Sequence, residues 1–305
     1  MVNKKNKRFS RVQWSLYLMI LPSLVLLIIY SYGPLAGLGI AFQKYQMGKG
    51  LFDSKWIGFG NFDYLFKLPG FWRVIYNTVF ISVIKIILNI SFPMLIAILL
   101  NEMRGVKAKR LIQTTIYLPY FLSWVIVAGI MIDILNPSTG IVNVIITSLG
   151  FEPVKFLGDK NVFPWVLIFT DIWKQFGFGT IIYLATLTAI NPNLYEAAAI
   201  DGANRFKKII YITLPGLVPV LILVTTLSLG NILNAGFDQV YNMYSPIVYS
   251  TGDIIDTMAY RIAFEGSVPQ FDLATAIGLL KSVVSFFFVS TSYFLAYKIA
   301  KYRIF

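Results

Sequence analysis

Asn191-Pro-Asn-Leu-Tyr-Glu196-Ala-Ala-Ala-Ile-Asp201-Gly202-Ala-Asn-Arg205-Phe-Lys-Lys-Ile-Ile-Tyr-Ile212-Thr-Leu214-Pro215 lies between two long apolar runs and interrupts their character. Asn193 is placed to cap a short helix, with Glu196 three residues on as its capping-box partner. Ala197, Ala198 and Ala199 are strong helix formers with almost no side chain, so they leave a smooth face that another protein surface can approach. Gly202 permits a turn that a Cβ would hinder. Arg205, Lys207 and Lys208 then place positive charge at a bilayer surface. Pro215 and Pro219 fall near the start of the next apolar run, where a missing N–H costs little. The residues alone leave two readings open: a helix held beneath a membrane for a partner to grip, or a capped interfacial helix with no partner.

The flanking runs set the fold class. Of the 305 residues 57% are hydrophobic and only 13% charged, against about a quarter charged in a soluble domain, and the mean hydropathy is +0.70. A membrane helix needs about 20 mostly apolar residues. Six segments qualify, at approximately 14–42, 72–100, 111–135, 163–190, 211–235 and 273–300. The first is too long for a secretory signal core of about 7–15 residues, and no small-x-small cleavage site follows it, so it reads as a retained span. The chain is expected to be an all-α, polytopic protein of six transmembrane helices. Residues 1–70 hold a cytoplasmic tail, the first helix and an outer loop. Residues 71–305 form a five-helix core, with the interrupting loop contributing a helix at about 192–208.

The formal net charge of +12 would suggest nucleic acid on a soluble protein, but here the basic residues sit between apolar runs. One side of the membrane collects fifteen: Lys4, Lys5, Lys7, Arg8, Arg11, Arg104, Lys107, Lys109, Arg110, Arg205, Lys207, Lys208, Lys298, Lys301 and Arg303. The other collects seven, together with Asp238, Asp253, Asp256, Glu265 and Asp272 in the segment 236–272. The positive-inside rule puts both termini in the cytoplasm of a multi-pass plasma-membrane protein. With no cysteine and no histidine there is no disulfide, no thiolate metal site and none of the usual general bases.

The pattern Glu196-Ala197-Ala198, then Gly202, then Ile212-Thr213-Leu214-Pro215 resembles the signature loop of binding-protein-dependent ABC importer permeases at every specified position. Gly202-Ala203 and Pro219 extend the likeness. Trp56-Ile-Gly58-Phe-Gly-Asn61-Phe62, Phe71-Trp72-Arg73 and Asn77-Thr78 are similar to the entry into the second span of MalF-type sugar permeases. Leu118-Pro119-Tyr120-Phe121-Leu122-Ser123-Trp124 and Phe237-Asp238-Gln239-Val240-Tyr241 are similar to the LplB-like subgroup. The chain differs from MalF itself in having no large domain inserted between early spans and no additional N-terminal spans. The resemblance implies the type I importer (MetI/MalF-like) fold and a bacterial importer for a carbohydrate, an oligosaccharide by subgroup. It implies a second homologous permease, two copies of an ABC ATPase and an extracellular solute-binding protein as partners. Glu196, Ala197, Ala198, Asp201, Gly202, Ala203 and Arg205 would carry the coupling to the ATPase. No phosphate loop of the form G-x-x-x-x-G-K-[ST] is present, since Gly48-Lys49 is followed by Gly50. ATP and magnesium are therefore expected on the partner, with no cofactor or metal on this chain and no enzymatic site.

Ionisable groups inside spans cost about 2.5–3.5 kcal/mol each on insertion scales, and so point to function or pairing. Lys85 with Asn89, Asp133, Asp171 with Lys174, and Lys281 are such groups, and Asn231 and Asn234 fall in the fifth run. Tyr120, Trp124 and Trp173 can stack on sugar faces. Tyr120, Trp124, Asp171, Lys174, Asn231, Asn234, Asp238 and Lys281 are the candidates for the solute path. Each has a structural alternative: Asp171 and Lys174 at i, i+3 can neutralise each other, aromatic residues populate interfacial belts, and asparagine joins helices. An ion-coupled secondary transporter is the rival of another class, but no repeat relates the two halves. A channel and a membrane-embedded enzyme lack any supporting cluster. A non-sugar solute is the nearer alternative.

Overall fold

The computed structural model describes residues 11–300. Lys4, Lys5, Lys7, Arg8, Lys301 and Arg303, on which part of the orientation argument rests, lie outside the described residues. Six rods form the molecule. Span one is Leu16–Phe42, span two Phe71–Glu102, span five Arg205–Leu229, and span six occupies the helix Phe271–Ala300. Span three is the bent pair Val106–Phe121 and Trp124–Ile134. The first five of these helices are apolar and long enough to cross a bilayer, counting the bent pair as one. Span four, Phe163–Ala189, is 27 residues long, but Asp171, Lys174 and Gln175 interrupt its apolar surface. It packs against spans two, three and five, with fourteen of its residues buried.

Spans two and four make the principal packing. Small residues let span four approach its neighbours, as is usual where helices meet in lipid. A β-carbon at Gly177 would run into the main-chain carbonyl of Ile116, and one at Gly179 would lie 3.1 Å from Cγ of Pro93. Thr180 Oγ1 donates to the Phe176 carbonyl at 2.7 Å, so its hydroxyl is satisfied within its own helix. Three apolar clusters follow from this arrangement. Ile81, Phe163, Leu167 and Val240 fill one end. Phe71, Leu233, Met258 and Ile277 join spans two and six. Ala97, Leu187, Leu217 and Val220 close the end nearest the loop after span four. Span one stands apart: residues 16–32 are all exposed, and only its 3-10 part, Gly33–Phe42, packs on span six.

On the face opposite that loop, short elements cap the bundle. Strands Gln43–Lys44 and Lys55–Trp56 pair antiparallel with Gln43 opposite Trp56. The segment between spans five and six folds into the helix Phe237–Met243 and further short turns. Span two holds this segment through backbone contacts. Asn77 Nδ2 donates to the carbonyls of Ser250 and Asp253, each at 3.2 Å, and Thr78 Oγ1 accepts from Ile255 N at 2.9 Å. Asp253 also takes Thr257 Oγ1 at 2.7 Å and both arms of the Arg261 guanidinium. Burial works against the charge on Arg261, but Asp253 outweighs it and holds the guanidinium pKa above its ordinary value.

Two spans depart from the sequence expectation. Span three was expected as one rod over 111–135, yet it breaks at Leu122 and Ser123, where the backbone is extended, and turns through 103°. Pro119 cannot donate a backbone bond, and Ser123 Oγ accepts from Ile126 N at 3.3 Å to start the second half. Span five was expected to reach residue 235 but ends at Leu229. Beyond it, tight turns run to Gly236 at φ +93, a left-handed value that favours glycine. Span four sits hard against the first half of span three, so replacing Gly177 by valine should cost at least the ~1–3 kcal/mol of an overpacked core. Size-exclusion and thermal denaturation in detergent should show a loss of monodisperse protein, whereas Gly129→Ala, with open space around it, should match the parent.

Candidate functional site

The two broken spans leave carbonyls that their own helices cannot satisfy, and in lipid these need an internal partner. Lysines supply it. Lys174 Nζ donates to the Tyr120 carbonyl at 2.8 Å, at the break in span three. Lys85 Nζ donates to the Ala235 carbonyl at 2.7 Å and to Oε1 of Gln239, at the end of the turns after span five. Asp171 Oδ1 lies 3.6 Å from Lys85 Nζ, and Asp171 Oδ2 accepts from Asn89 Nδ2 at 2.8 Å. Gln239 Nε2 completes the network by donating to the Leu167 carbonyl and to Thr170 Oγ1, each at 2.7 Å. One carboxylate and two ammonium groups are thus buried together between spans two, three and four.

A cavity of about 480 Å³ opens against this network. Span two contributes Ser82, Lys85 and Asn89; the break in span three contributes Tyr120 and Trp124; span four contributes Asp171 and Gln175. Ser228, Asn231 and Asn234 line it from the end of span five. Ser82 Oγ and Asn89 Oδ1 are buried with no protein partner. Tyr120 stacks face to face on Phe178 at 4.0 Å, which fixes the ring. Lys174 Nζ stands 5.3 Å from the Tyr120 ring and 5.4 Å from the Trp124 ring, near enough for cation–π attraction. The wall combines amides, a hydroxyl, flat rings and an ion group with one more positive than negative charge. Such a surface suits a solute with many hydroxyls and exposed C–H faces.

Of the sequence candidates, Tyr120, Trp124, Asp171, Asn231 and Asn234 meet at this cavity. Lys174 is held against two of its rings rather than among its lining residues. Asp238 is exposed on the helix Phe237–Met243, and its neighbour Gln239 is the one buried at the network. Lys281 pairs with Asp256 at 2.6 Å on the flank of span six, away from the cavity, and Asp133 and Trp173 are exposed. Asp171 and Lys174 make no direct ion pair; Lys85, from another helix, is the carboxylate's ionic neighbour. A helix of seven residues carries too little periodicity to say which side is buried, so Gln239 was not distinguishable from Asp238. The available signal was Lys85 itself, because a lysine inside an apolar span needs several acceptors.

The loop after span four forms the helix Pro192–Ile200. Its cap is Asn191, whose Oδ1 accepts from Asn193 N at 3.0 Å, not Asn193 as the capping-box pattern suggested. Pro192 at the first helical position, preset for helix and without an N–H to satisfy, moves the start two residues back and leaves Glu196 exposed. The C-terminus closes as a Schellman motif. Ala203 N donates to the Ala198 carbonyl at 2.8 Å and Gly202 N to the Ala199 carbonyl at 3.1 Å, with Gly202 at φ +77. The expected helix over about 192–208 is therefore two pieces: Asn204 caps a new turn, and Arg205 already belongs to span five. Glu196, Ala197, Asp201, Gly202 and Arg205 are exposed and Ala203 is partly so, while Ile200 is 87% exposed.

The buried ions give a direct test. Lys85→Met leaves a carboxylate without its cation, which should cost about 3–5 kcal/mol in thermal denaturation of the purified protein. Lys85→Met with Asp171→Leu should recover most of that loss. Simple addition of the two single losses would show that the pair is not coupled.

Comparison with known proteins agrees with this architecture. Residues 90–300 match the family described as "Binding-protein-dependent transport system inner membrane component". The chain is 38% identical to Protein LplB of Bacillus subtilis, over 95% of this chain and 90% of LplB. It is 37% identical to the polygalacturonan/rhamnogalacturonan transport system permease protein YteP of the same organism, over 93% and 88%. Among solved structures, a chain of the bacterial alginate ABC transporter in complex with alginate pentasaccharide-bound periplasmic protein superposes with a TM-score of 0.88. That match is at 37% identity and covers 96% of this chain and 98% of that one. On the six-span fold, the signature loop and these matches, the chain belongs to the inner membrane permease components of binding-protein-dependent ABC transport systems.

Proposed function

We propose that this permease admits a carbohydrate, in oligosaccharide form, into a bacterial cell by alternating access, and that the cavity at Lys85 and Asp171 is where the solute rests. The observation that carries this reading is the cavity wall. Tyr120 and Trp124 offer ring faces, Asn89, Asn231, Asn234 and Gln175 offer amides, and Ser82 and Asn89 retain unpaired polar atoms. The polysaccharide systems named among the relatives support the same solute class. A second, homologous permease faces this one across the cavity. A solute-binding protein delivers from outside, and both termini lie in the cytoplasm.

The chain itself is no enzyme on this reading. Two copies of an ATPase, carrying ATP and magnesium, grip the helix Pro192–Ile200 of each permease. Its exposed Glu196, Ala197 and Asp201, with the half-buried Ala198 beneath them, Gly202 and Ala203 shaping its end and Arg205 following, form the contact. Closure of the ATPase dimer draws the two helices together and rocks the spans.

The test is purification of the tagged chain from its own host in mild detergent, with identification of what accompanies it. A second permease and an ATPase are expected. Glu196→Lys reverses a charge in the grip, and Gly202→Asp puts bulk and charge into the turn that closes the helix. Both should shed the ATPase and abolish ATP-dependent oligosaccharide uptake while the spans stay inserted. A chain that purifies alone, transports without ATP and ignores both changes would refute the reading.

A further inference from the structure

The helix Pro192–Ile200 has no buried residue, so packing does not fix it to the bundle. Tyr195 and Ala198 lie three apart on one face and are its only half-buried side chains. Tyr195 Oη meets Thr213 Oγ1 at 3.1 Å. Among the described residues this is the only side-chain hydrogen bond from the helix to a span. Thr213 is buried at 1% exposure and ends the π-turn Ile209–Thr213 at the entry of span five. Its Oγ1 also reaches the Lys208 carbonyl at 3.4 Å. A hydroxyl that donates to Lys208 has lone pairs left for Tyr195, so the proton order runs from Tyr195 to Thr213 to the Lys208 carbonyl.

Covalently, the helix hangs from two points. Its leading end leaves span four through Ile190 and Asn191, whose backbone is extended. Its trailing end passes through Gly202 into Arg205. Ile190 fits against Gly216 of span five, where a β-carbon would lie 2.6 Å from Ile190 Cδ1. A rod fixed at its two ends can still roll about the line joining them. A contact off that line stops the roll, and Tyr195 is the side chain that makes one.

We infer that the Tyr195–Thr213 hydrogen bond is a strut that makes the loop helix and span five move as one body, so that Tyr195 and Thr213 are positioning residues for energy coupling. The inference rests on the reading of this helix as the ATPase's grip. Tyr195 does not itself hold the ATPase: Glu196, Ala197 and Ile200 point away from the bundle, and the tyrosine points into it. Without the strut, ATPase closure rolls the helix before it moves the span. The π-turn is the compliant element that the strut bypasses, since such turns widen a helix and loosen its ladder. Span five ends beside Asn231 and Asn234, so motion delivered at Thr213 arrives at the cavity.

The absence of cysteine allows a direct readout on the purified complex of this chain with its co-purifying permease and ATPase. In an Asn234→Cys background, the rate of labelling by a membrane-impermeant maleimide is measured before and after trapping with ATP and vanadate. Tyr195→Phe and Thr213→Val should each reduce the ATP-dependent change in rate about five-fold, the worth of one net hydrogen bond. The amount of ATPase retained should stay the same. The double variant should be no worse than either single one, and Thr213→Ser should restore the parent response. A full ATP-dependent change in Tyr195→Phe overturns the strut, as does loss of the ATPase from that variant, which would make Tyr195 part of the grip. If Glu196→Lys keeps its ATPase, the grip itself is elsewhere and both readings fall together.

Discussion

Two buried ammonium groups hold the ends of two broken helices, and the cavity depends on them. A bilayer interior offers the backbone no hydrogen bonds. A span can therefore stop short only where something inside the protein takes over the freed carbonyls. Lys174 does this for Tyr120 and Lys85 for Ala235. Each lysine brings a charge that must be answered in turn, and Asp171 lies between them. The same groups that permit the breaks furnish the polar wall that the breaks expose. Structure and site are one set of contacts here, so a polar cavity in an apolar bundle requires no additional machinery.

The far-face segment extends this logic. Gln239 is fully buried because three residues on two spans address it: Lys85 from span two, and Leu167 and Thr170 from span four. That fixes the helix Phe237–Met243 over the end of the cavity, and Asn77 and Thr78 pin the residues that follow. Beneath, the loop helix is attached lightly. Among the described residues, its apolar Leu194 is half exposed and Ile200 almost wholly so. The molecule is thus rigid where the solute is to be recognised and loosely jointed where the driving force is to enter.

Much of this was legible in the sequence, for physical reasons that differ from part to part. Five of the six spans follow from length and hydropathy, because lipid imposes both; span four is long enough but carries Asp171 and Lys174. The loop helix follows from alanine propensity and from Gly202, whose left-handed conformation the Schellman closure requires. What escaped was set by contacts between distant residues. The break at Leu122 and Ser123 lies in an apolar run that reads as continuous helix. Asp171 stands one turn from Lys174 in sequence, yet Lys85 answers it from another helix. Asn193 has the right residue three places on, but Pro192 fixes the start earlier. In each case a local pattern met a competing arrangement that only the packed bundle could make better.

Span one carries a further consequence. Its 27 residues amount to at least about 40 Å of helix, against roughly 30 Å of hydrocarbon. Its Gly33–Phe42 portion packs on span six, while residues 16–32 are all exposed. A helix longer than the hydrocarbon accommodates the excess by tilting, kinking or thickening the bilayer locally, and its tilt is governed by the packing of Gly33–Phe42 on span six.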